Sequence, residues 1–149
     1  MSVKPQLKQY IGKTISPHTV EIEKGQIRRF ATAIGEENPI HFNEEAAKKV
    51  GLRTIIAPPT FASALIMPDV FLDVFGWDIQ AVIHRAEEYE YFKPIYAGDV
   101  LHIGYRISDI YEQPGNSGTL VFVVIETRAN DSRNNLVFKG RRVIVKLRS

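Results

Sequence analysis

The longest nearly uncharged run of the chain, "APPTFASALIMPDVFLDVFG" at residues 57–76, constrains its fold most strongly. The segment "TFASALIM" is apolar on nearly every face, which predicts a helix that other structure must surround. Two prolines precede this segment, where a helix tolerates them because its first amides are unpaired in any case. Pro68 should break or kink the helix. We therefore expect a buried central helix that begins near Pro58.

Four runs with the character of β-strands follow this helix. They lie at residues 80–95, 101–110, 119–131 and 136–148. The second run alternates cleanly between apolar and polar residues, and the third is apolar on both faces in its first half, as a central strand would be. Turn clusters "YAGD", "QPGNSG" and "NDSRNN" separate the runs. The pattern predicts consecutive antiparallel strands joined by hairpins.

The first half of the chain is predicted to be mainly helical. Alternation at residues 18–23 indicates a short strand, and the apolar spacing at 25–35 predicts a helix that ends at Gly35. Asn43 is a suitable cap for a further short helix, because two glutamates follow it and two lysines come shortly before Gly51. The chain thus divides into a helical first half and a strand-rich second half.

Together these elements predict an α+β fold in which an antiparallel sheet of four or five strands curls around the central helix. Residues 1–149 would form a single domain, because this length suits one core and no linker or repeat interrupts it. A sheet of this kind has an exposed edge, which a second copy of the chain could cover by pairing edge to edge. We therefore expect a dimer.

Composition excludes several classes of protein. The chain has no cysteine, which excludes a disulfide framework, a thiolate nucleophile and a cysteine-ligated metal. The spacing of its histidines and acids does not match a metal site, and no apolar run approaches the roughly 20 residues of a membrane span. The N-terminus lacks the apolar core of a secretion signal. We expect a cytoplasmic protein with no metal, no nucleic-acid partner and no membrane partner.

The densest basic cluster, Arg141 and Arg142 with Lys146 and Arg148, allows two interpretations. It is either a solvated strand face or a weak site for an acidic ligand or nucleic acid. The net charge of +2 and the scatter of the other lysines and arginines favour the solvated face.

A polar stretch, "IGEENPIHFNEEAA" at residues 34–47, interrupts the helical first half. One interpretation is a solvated loop between two helices. The other is a catalytic loop, since a carboxylate (Glu36) and an imidazole (His41) close together can share one water molecule and exchange protons with it. Asn38 would orient the loop or the carboxylate, and Pro39 would stiffen it. Adding water to an activated double bond needs such a pair and a hydrogen-bond donor for the developing enolate oxygen.

Three motifs occur in order along the chain. "GEENPIH" resembles the hydratase motif Gly-Asp-x-Asn-Pro-aliphatic-His of MaoC-like (R)-specific enoyl-CoA hydratases. "NEEAAKKVGLRTIIAPPTF" and "EEYEYFKPIYAGDVL" resemble the N-terminal MaoC-type dehydratases of the fatty-acid-synthase-like kind. The resemblance extends over roughly residues 8 to 147.

The resemblance implies a hot-dog fold, in which an antiparallel sheet is wrapped around a long central helix and the protein is dimeric. It also implies a lyase of fatty-acid metabolism, which hydrates trans-2-enoyl thioesters or dehydrates (3R)-hydroxyacyl thioesters. The catalytic carboxylate and histidine of the motif fall on Glu36 and His41. No separate cofactor is implied, because the substrate itself carries coenzyme A or the phosphopantetheine of a carrier protein.

The resemblance further assigns substrate-binding roles to Asn38, Thr60, Phe61 and His84. The glycine that donates its amide to the oxyanion in catalytic relatives falls on Pro59, which has no N–H. The donor would then be the Thr60 amide at the helix N-terminus. Phe61 would form part of the wall of an acyl tunnel. His84 is either a structural residue or a pocket residue.

Two departures from the motif leave alternative functions open. Glu36 replaces an aspartate, which lengthens the side chain by about 1.5 Å, and Pro59 replaces the glycine. The chain could therefore be a non-catalytic, acyl-binding subunit in a heterodimer with a second MaoC-like chain. A hot-dog acyl-CoA thioesterase is another alternative. Many such enzymes use a carboxylate on the central helix, and residues 58–67 contain none.

Overall fold

The computed structural model describes residues 5–65 and 75–148, and all its strands belong to one antiparallel sheet with the order β1-β3-β4-β5-β2. The strands are β1 (Thr14–Glu21), β2 (Val82–Tyr91), β3 (Val100–Gly115), β4 (Gly118–Asn130) and β5 (Leu136–Arg148). The helices are α1 (Pro5–Lys8), α2 (Lys24–Ala33) and α3 (Glu44–Lys49), with short 3-10 helices at Pro39–His41, Phe61–Leu65 and Ile79–Ala81.

All four strand-like runs of the second half are strands, but the predicted chain of hairpins is wrong at one connection. β3 and β4 form a hairpin, as do β4 and β5, whereas β2 pairs with β5 and not with β3. The neighbour of β3 is β1, which is longer than the strand predicted at 18–23. The cluster "YAGD" therefore begins a crossover, because alternation and turn residues mark where strands end but not which strands pair.

The inner face of the sheet carries the main core. Leu101, Ile103 and Ile107 of β3 are almost fully buried, as the clean alternation of this run predicted. Ile27 of α2 joins the same cluster, so the amphipathic helix predicted at 25–35 packs against the sheet with its apolar side. Complete burial of one such side chain stabilises the fold by about 2 kcal/mol.

The opposite face of β4 and β5 holds a second apolar cluster, formed by Phe122, Val124, Val143 and Val145. Successive side chains of a strand point to opposite faces, so β4 and β5 are apolar on both sides of the sheet. β4 occupies the middle of the five-strand order, which confirms the central position predicted for residues 119–131.

The predicted central helix is described only at its beginning. Phe61–Leu65 forms a 3-10 helix whose Phe61, Ala62 and Leu65 are buried, and the Tyr105 hydroxyl donates a hydrogen bond of 3.0 Å to the Leu65 carbonyl. This segment therefore lies against the inner face of the sheet, as expected. The part of the prediction at residues 66–74, including Pro68, lies outside the described residues.

The interpretation of the basic cluster as a solvated face is wrong for Arg142. Its exposed fraction is 8%, and its guanidinium binds the Glu87 carboxylate, the Tyr89 hydroxyl and the Ser63 carbonyl. Arg141, one residue earlier, is exposed on the other face. The cluster is therefore divided between the two sides of β5, and Arg142 links β2, β5 and the Phe61–Leu65 segment.

We expect Arg142→Ala to lower the free energy of unfolding by about 3 kcal/mol, because it leaves the Glu87 carboxylate without its buried partner. Urea denaturation of the purified protein measures this change. Arg141→Ala is the matched control on the solvent side and should change stability by less than about 0.5 kcal/mol. Equal losses in the two variants would contradict the division of the cluster.

Candidate active site

A sharp turn after α2 begins the site. The chain reverses at Gly35, whose φ of 72° is in the left-handed region that glycine adopts without strain. The Glu36 side chain then folds back on its own backbone, where Oε1 accepts hydrogen bonds from the amides of Glu37 (3.0 Å) and Asn38 (2.9 Å). These two bonds hold the carboxylate in place, although it is only partly buried.

The next residues place His41. The Asn38 side chain caps the 3-10 helix Pro39–His41 by accepting a hydrogen bond of 3.2 Å from the Ile40 amide. Proline at the first helical position has no N–H that would need a partner. Asn38 thus orients the loop, one of the two roles that the sequence allowed for it.

His41 is almost completely buried, and one of its ring nitrogens is anchored to the backbone. Nδ1 lies 2.7 Å from the carbonyl oxygen of Ile56, which can only accept a hydrogen bond. Nδ1 therefore carries the proton, and in the neutral imidazole Nε2 is free to accept one. The Ile56 amide also donates to the Ile40 carbonyl at 3.2 Å, so two bonds join this segment to the loop.

Glu36 and His41 face each other across a short distance. Oε2 of Glu36 is 3.9 Å from Nε2 of His41, which exceeds a direct hydrogen bond but allows one water or hydroxyl group to contact both atoms. The hydrogen bond from the Asn38 amide is the main cause that lowers the pKa of Glu36, and the Glu37 amide and His41 lower it further against some desolvation. Glu36 is therefore ionised at neutral pH.

The two prolines precede a backbone donor without a partner. The Phe61 amide donates to the Pro58 carbonyl at 2.9 Å and Pro59 has no N–H, whereas the Thr60 N–H meets no acceptor within residues 5–65 and 75–148. Thr60 follows Ile56, the anchor of His41, by only four residues. The unpaired amide thus belongs to the chain segment that is bound to the loop of Glu36 and His41.

The other predicted site residues lie elsewhere. Phe61 is 2% exposed and packs edge-to-face against Phe30 of α2, with ring centroids 5.4 Å apart. His84 is exposed on β2, where its Nε2 lies 3.4 Å from the Glu87 carboxylate. The structure therefore brings together Glu36, Asn38 and His41, places Phe61 in the core next to Thr60, and gives His84 no contact with the loop.

Two features of the site were not anticipated from the sequence. The Ile56 carbonyl that orients His41 is a backbone group, for which no residue type provides a signal. The Tyr91 hydroxyl, which binds the Pro59 carbonyl, was missed although Tyr89 and Tyr91 alternate on one face of β2. That alternation was a detectable sign of a polar contact under the apolar segment.

Two other kinds of site, a metal site and a membrane-spanning helix, are absent from the part of the chain that the structure describes. Within residues 5–65 and 75–148 no group of three or more histidine, aspartate or glutamate side chains is arranged to hold a metal ion. Within the same ranges no helix is long and apolar enough to cross a membrane.

Comparison with known structures defines the class of fold. The chain superimposes with a TM-score of 0.77 on a chain of the C-terminally truncated HadBC (3R)-hydroxyacyl-ACP dehydratase complex from Mycobacterium tuberculosis; the two are 26% identical, over 91% of this chain and 96% of that one. For the unliganded (R)-hydratase PhaJ1 from Pseudomonas aeruginosa the TM-score is 0.71, at 19% identity, over 97% and 86% of the two chains. The fold is thus the hot-dog fold of MaoC-like dehydratases and (R)-hydratases, as the motifs implied.

Sequence comparison defines the family. Residues 9–140 match the family described as "FAS1-like, dehydratase domain region". The chain is also 34% identical over 140 residues to a UPF0336 protein of Saccharopolyspora erythraea, which covers 88% of this chain and 90% of that relative. The chain belongs to the FAS1-like dehydratase-domain family.

We expect the Glu36 carboxyl to titrate below the ordinary glutamate value of 4.5, because two backbone amides bind its ionised form. Its hydrogen bonds therefore stabilise the folded chain above that value and are lost as the pH falls through the lowered pKa. Carbon-13 NMR of the side-chain carboxyl measures the midpoint. His41→Gln should leave the midpoint below 4.5, since His41 is the smallest cause; a midpoint at or above 4.5 in the unaltered protein would contradict the proposed geometry.

Proposed function

We propose that this chain is a hydro-lyase that adds water to trans-2-enoyl thioesters and, in reverse, dehydrates (3R)-hydroxyacyl thioesters. The arrangement of Glu36 and His41 is the observation that carries the proposal: the Glu36 carboxylate oxygen Oε2 and the His41 Nε2 lie 3.9 Å apart. Membership of a dehydratase-domain family supports the reaction class. The acyl group would be carried by coenzyme A or by a phosphopantetheine, and no further cofactor would be needed.

In the hydration direction, one water molecule would bind between Glu36 Oε2 and His41 Nε2. Nε2 would take one proton from this water as its oxygen bonds to C3 of the substrate, while Glu36 holds the other hydrogen. The electron pair of the double bond moves toward the thioester oxygen. The imidazolium then returns the same proton to C2, so His41 ends neutral and the product has gained one water. Dehydration is the same sequence reversed.

The thioester oxygen becomes negatively charged during this reaction and needs a hydrogen-bond donor. Pro59 cannot supply one, and the Phe61 amide is already bound to the Pro58 carbonyl. We assign the role to the Thr60 N–H, which has no acceptor among the described residues. Loss of the usual glycine would then be compensated by the next amide along the chain.

The longer side chain at position 36 is compatible with this arrangement. Its carboxylate does not extend away from the loop, because Oε1 is turned back onto the amides of residues 37 and 38. The extra methylene therefore lets the side chain fold back over the loop, and Oε2 remains beside His41. Glu36 in this conformation can occupy the role of the motif aspartate.

A homodimer is the assembly we propose for the active protein, because β1 and β2 end the strand order and each has one side free of strand pairing among the described residues. A second candidate is a subunit that needs a different MaoC-like partner. It is favoured by one observation: the structural relative with 26% identity belongs to the HadBC complex, named for a (3R)-hydroxyacyl-ACP dehydratase.

We expect His41→Gln and Glu36→Gln each to slow crotonyl-CoA hydration by at least about 100-fold, because each removes a proton-transfer or water-binding group. Glutamine at position 41 retains a donor for the Ile56 carbonyl and so limits damage to the fold. The assay follows the ultraviolet loss of the enoyl-thioester band. Glu37→Gln is the matched control, since this neighbouring carboxylate is exposed, and should retain the activity of the unaltered protein. Full activity in the His41 variant would refute the assigned site.

The purified chain alone should hydrate crotonyl-CoA if it works as a homodimer. The alternative subunit would be inert alone and become active when a second MaoC-like chain is added. Size-exclusion chromatography of the active mixture distinguishes the two assemblies. Release of free thiol from acyl-CoA without loss of the enoyl band would instead indicate a thioesterase.

A further inference from the structure

Tyr91, on edge strand β2, reaches across to the segment that contains Thr60. Its hydroxyl donates a hydrogen bond to the Pro59 carbonyl. The ring itself packs against Phe138 of β5, with centroids 5.8 Å apart. The ring is therefore positioned by apolar packing, and its hydroxyl binds the Pro59 carbonyl.

This hydroxyl takes the place of a backbone hydrogen bond. In residues 58–63 the Phe61 amide binds the Pro58 carbonyl and the Ser63 amide binds the Thr60 carbonyl, each three residues earlier. The corresponding direct bond from Ala62 to Pro59 does not occur within this described stretch. The Pro59 carbonyl binds the Tyr91 hydroxyl instead, so a side chain of β2 supplies the donor that the turn itself does not.

The Pro59 carbonyl, which Tyr91 binds, belongs to the same peptide unit as the Thr60 N–H. In a trans peptide the C=O and the following N–H point in opposite directions, and the structure has no cis peptide bond among its described residues. Binding the Pro59 oxygen to Tyr91 therefore turns the Thr60 N–H away from β2. A hydrogen bond accepted by a carbonyl also polarises the peptide and strengthens its N–H as a donor.

We propose that Tyr91 is a positioning residue of the active site, which holds and polarises the Pro59–Thr60 peptide so that the Thr60 amide can stabilise the thioester oxyanion. The inference rests on the proposed function, because the oxyanion exists only in that reaction. It also accounts for the tolerance of proline at position 59: the position contributes a carbonyl to Tyr91 rather than an amide to the substrate.

Burial keeps Tyr91 suited to this role. Desolvation raises the pKa of its hydroxyl to about 12, against the effect of the Ala62 amide and with a further increase from Glu87. The hydroxyl is therefore protonated throughout the physiological range and remains a donor to Pro59.

The chain offers a matched control two residues away. Tyr89 lies on the same face of β2, with its ring 6.1 Å from that of Tyr91 and in contact with the same Phe138. Its hydroxyl binds Glu87 and Arg142, and it makes no hydrogen bond to residues 59–62. Removing either hydroxyl deletes a half-buried polar group from one strand, but only Tyr91 touches the Pro59–Thr60 peptide.

The test compares Tyr91→Phe with Tyr89→Phe in steady-state hydration of crotonyl-CoA by the full chain, with urea denaturation of both variants. We expect Tyr91→Phe to lower kcat by about 10-fold or more while KM changes by less than about threefold, because an oxyanion donor acts mainly in the transition state. Tyr89→Phe should lose comparable stability and keep kcat within about twofold of the unaltered protein. That split between kcat and KM is not produced by a purely structural contact.

The possible outcomes separate the two proposals. If kcat of Tyr91→Phe stays within about twofold while His41→Gln is inactive, the role of Tyr91 is refuted and the proposed function stands. An equal loss of kcat in both tyrosine variants also refutes it, because the effect would then be a general loosening of β2. An unaltered protein that is inert, both alone and with a second MaoC-like chain, refutes the proposed function and this inference with it.

Discussion

The hydrogen bond between His41 Nδ1 and the Ile56 carbonyl is the interaction on which the site depends. It sets the tautomer of the imidazole, so that the opposite nitrogen faces Glu36. It also joins the loop after α2 to the strand-like segment that leads into the apolar run. Together with the bond from the Ile56 amide to the Ile40 carbonyl, it fixes the loop of Glu36 and His41 to the segment that leads to Thr60. A buried ring held at one nitrogen has one orientation, and proton transfer requires that orientation to be constant.

Local structure was predictable from the sequence to the extent that neighbouring residues determine it. The helix at 25–35 and the cap at Asn43 follow from spacing and from side chains that bind adjacent amides, and both are found in the structure. Strand positions followed in the same way from alternation and turns. The pairing of β2 with β5, by contrast, joins residues that lie about 47 to 64 positions apart in the chain, which no local pattern encodes.

The candidate site shows the same division. Glu36, Asn38 and His41 occur within six residues and lie together in one loop of the structure, whereas their roles stay a prediction. Two further contacts of the candidate site involve remote segments and backbone carbonyls. The Ile56 carbonyl binds His41, and the Pro59 carbonyl binds the Tyr91 hydroxyl. Arg142 was misjudged because adjacent arginines of a strand face opposite sides, and charge alone does not reveal which one lies inside.

The position of β2 at the end of the strand order has a consequence for the proposed activity. One side of this strand is bonded to β5, and on the other side no strand of residues 5–65 and 75–148 pairs with it. Tyr91, which ends β2, binds the Pro59 carbonyl and in the proposed reaction would hold the peptide that stabilises the oxyanion. If the proposed dimer forms at this edge, one strand would serve both subunit association and transition-state stabilisation, and specific activity would rise with protein concentration as the assembly forms. The edge of the sheet would then act as a switch that confines turnover to the assembled protein.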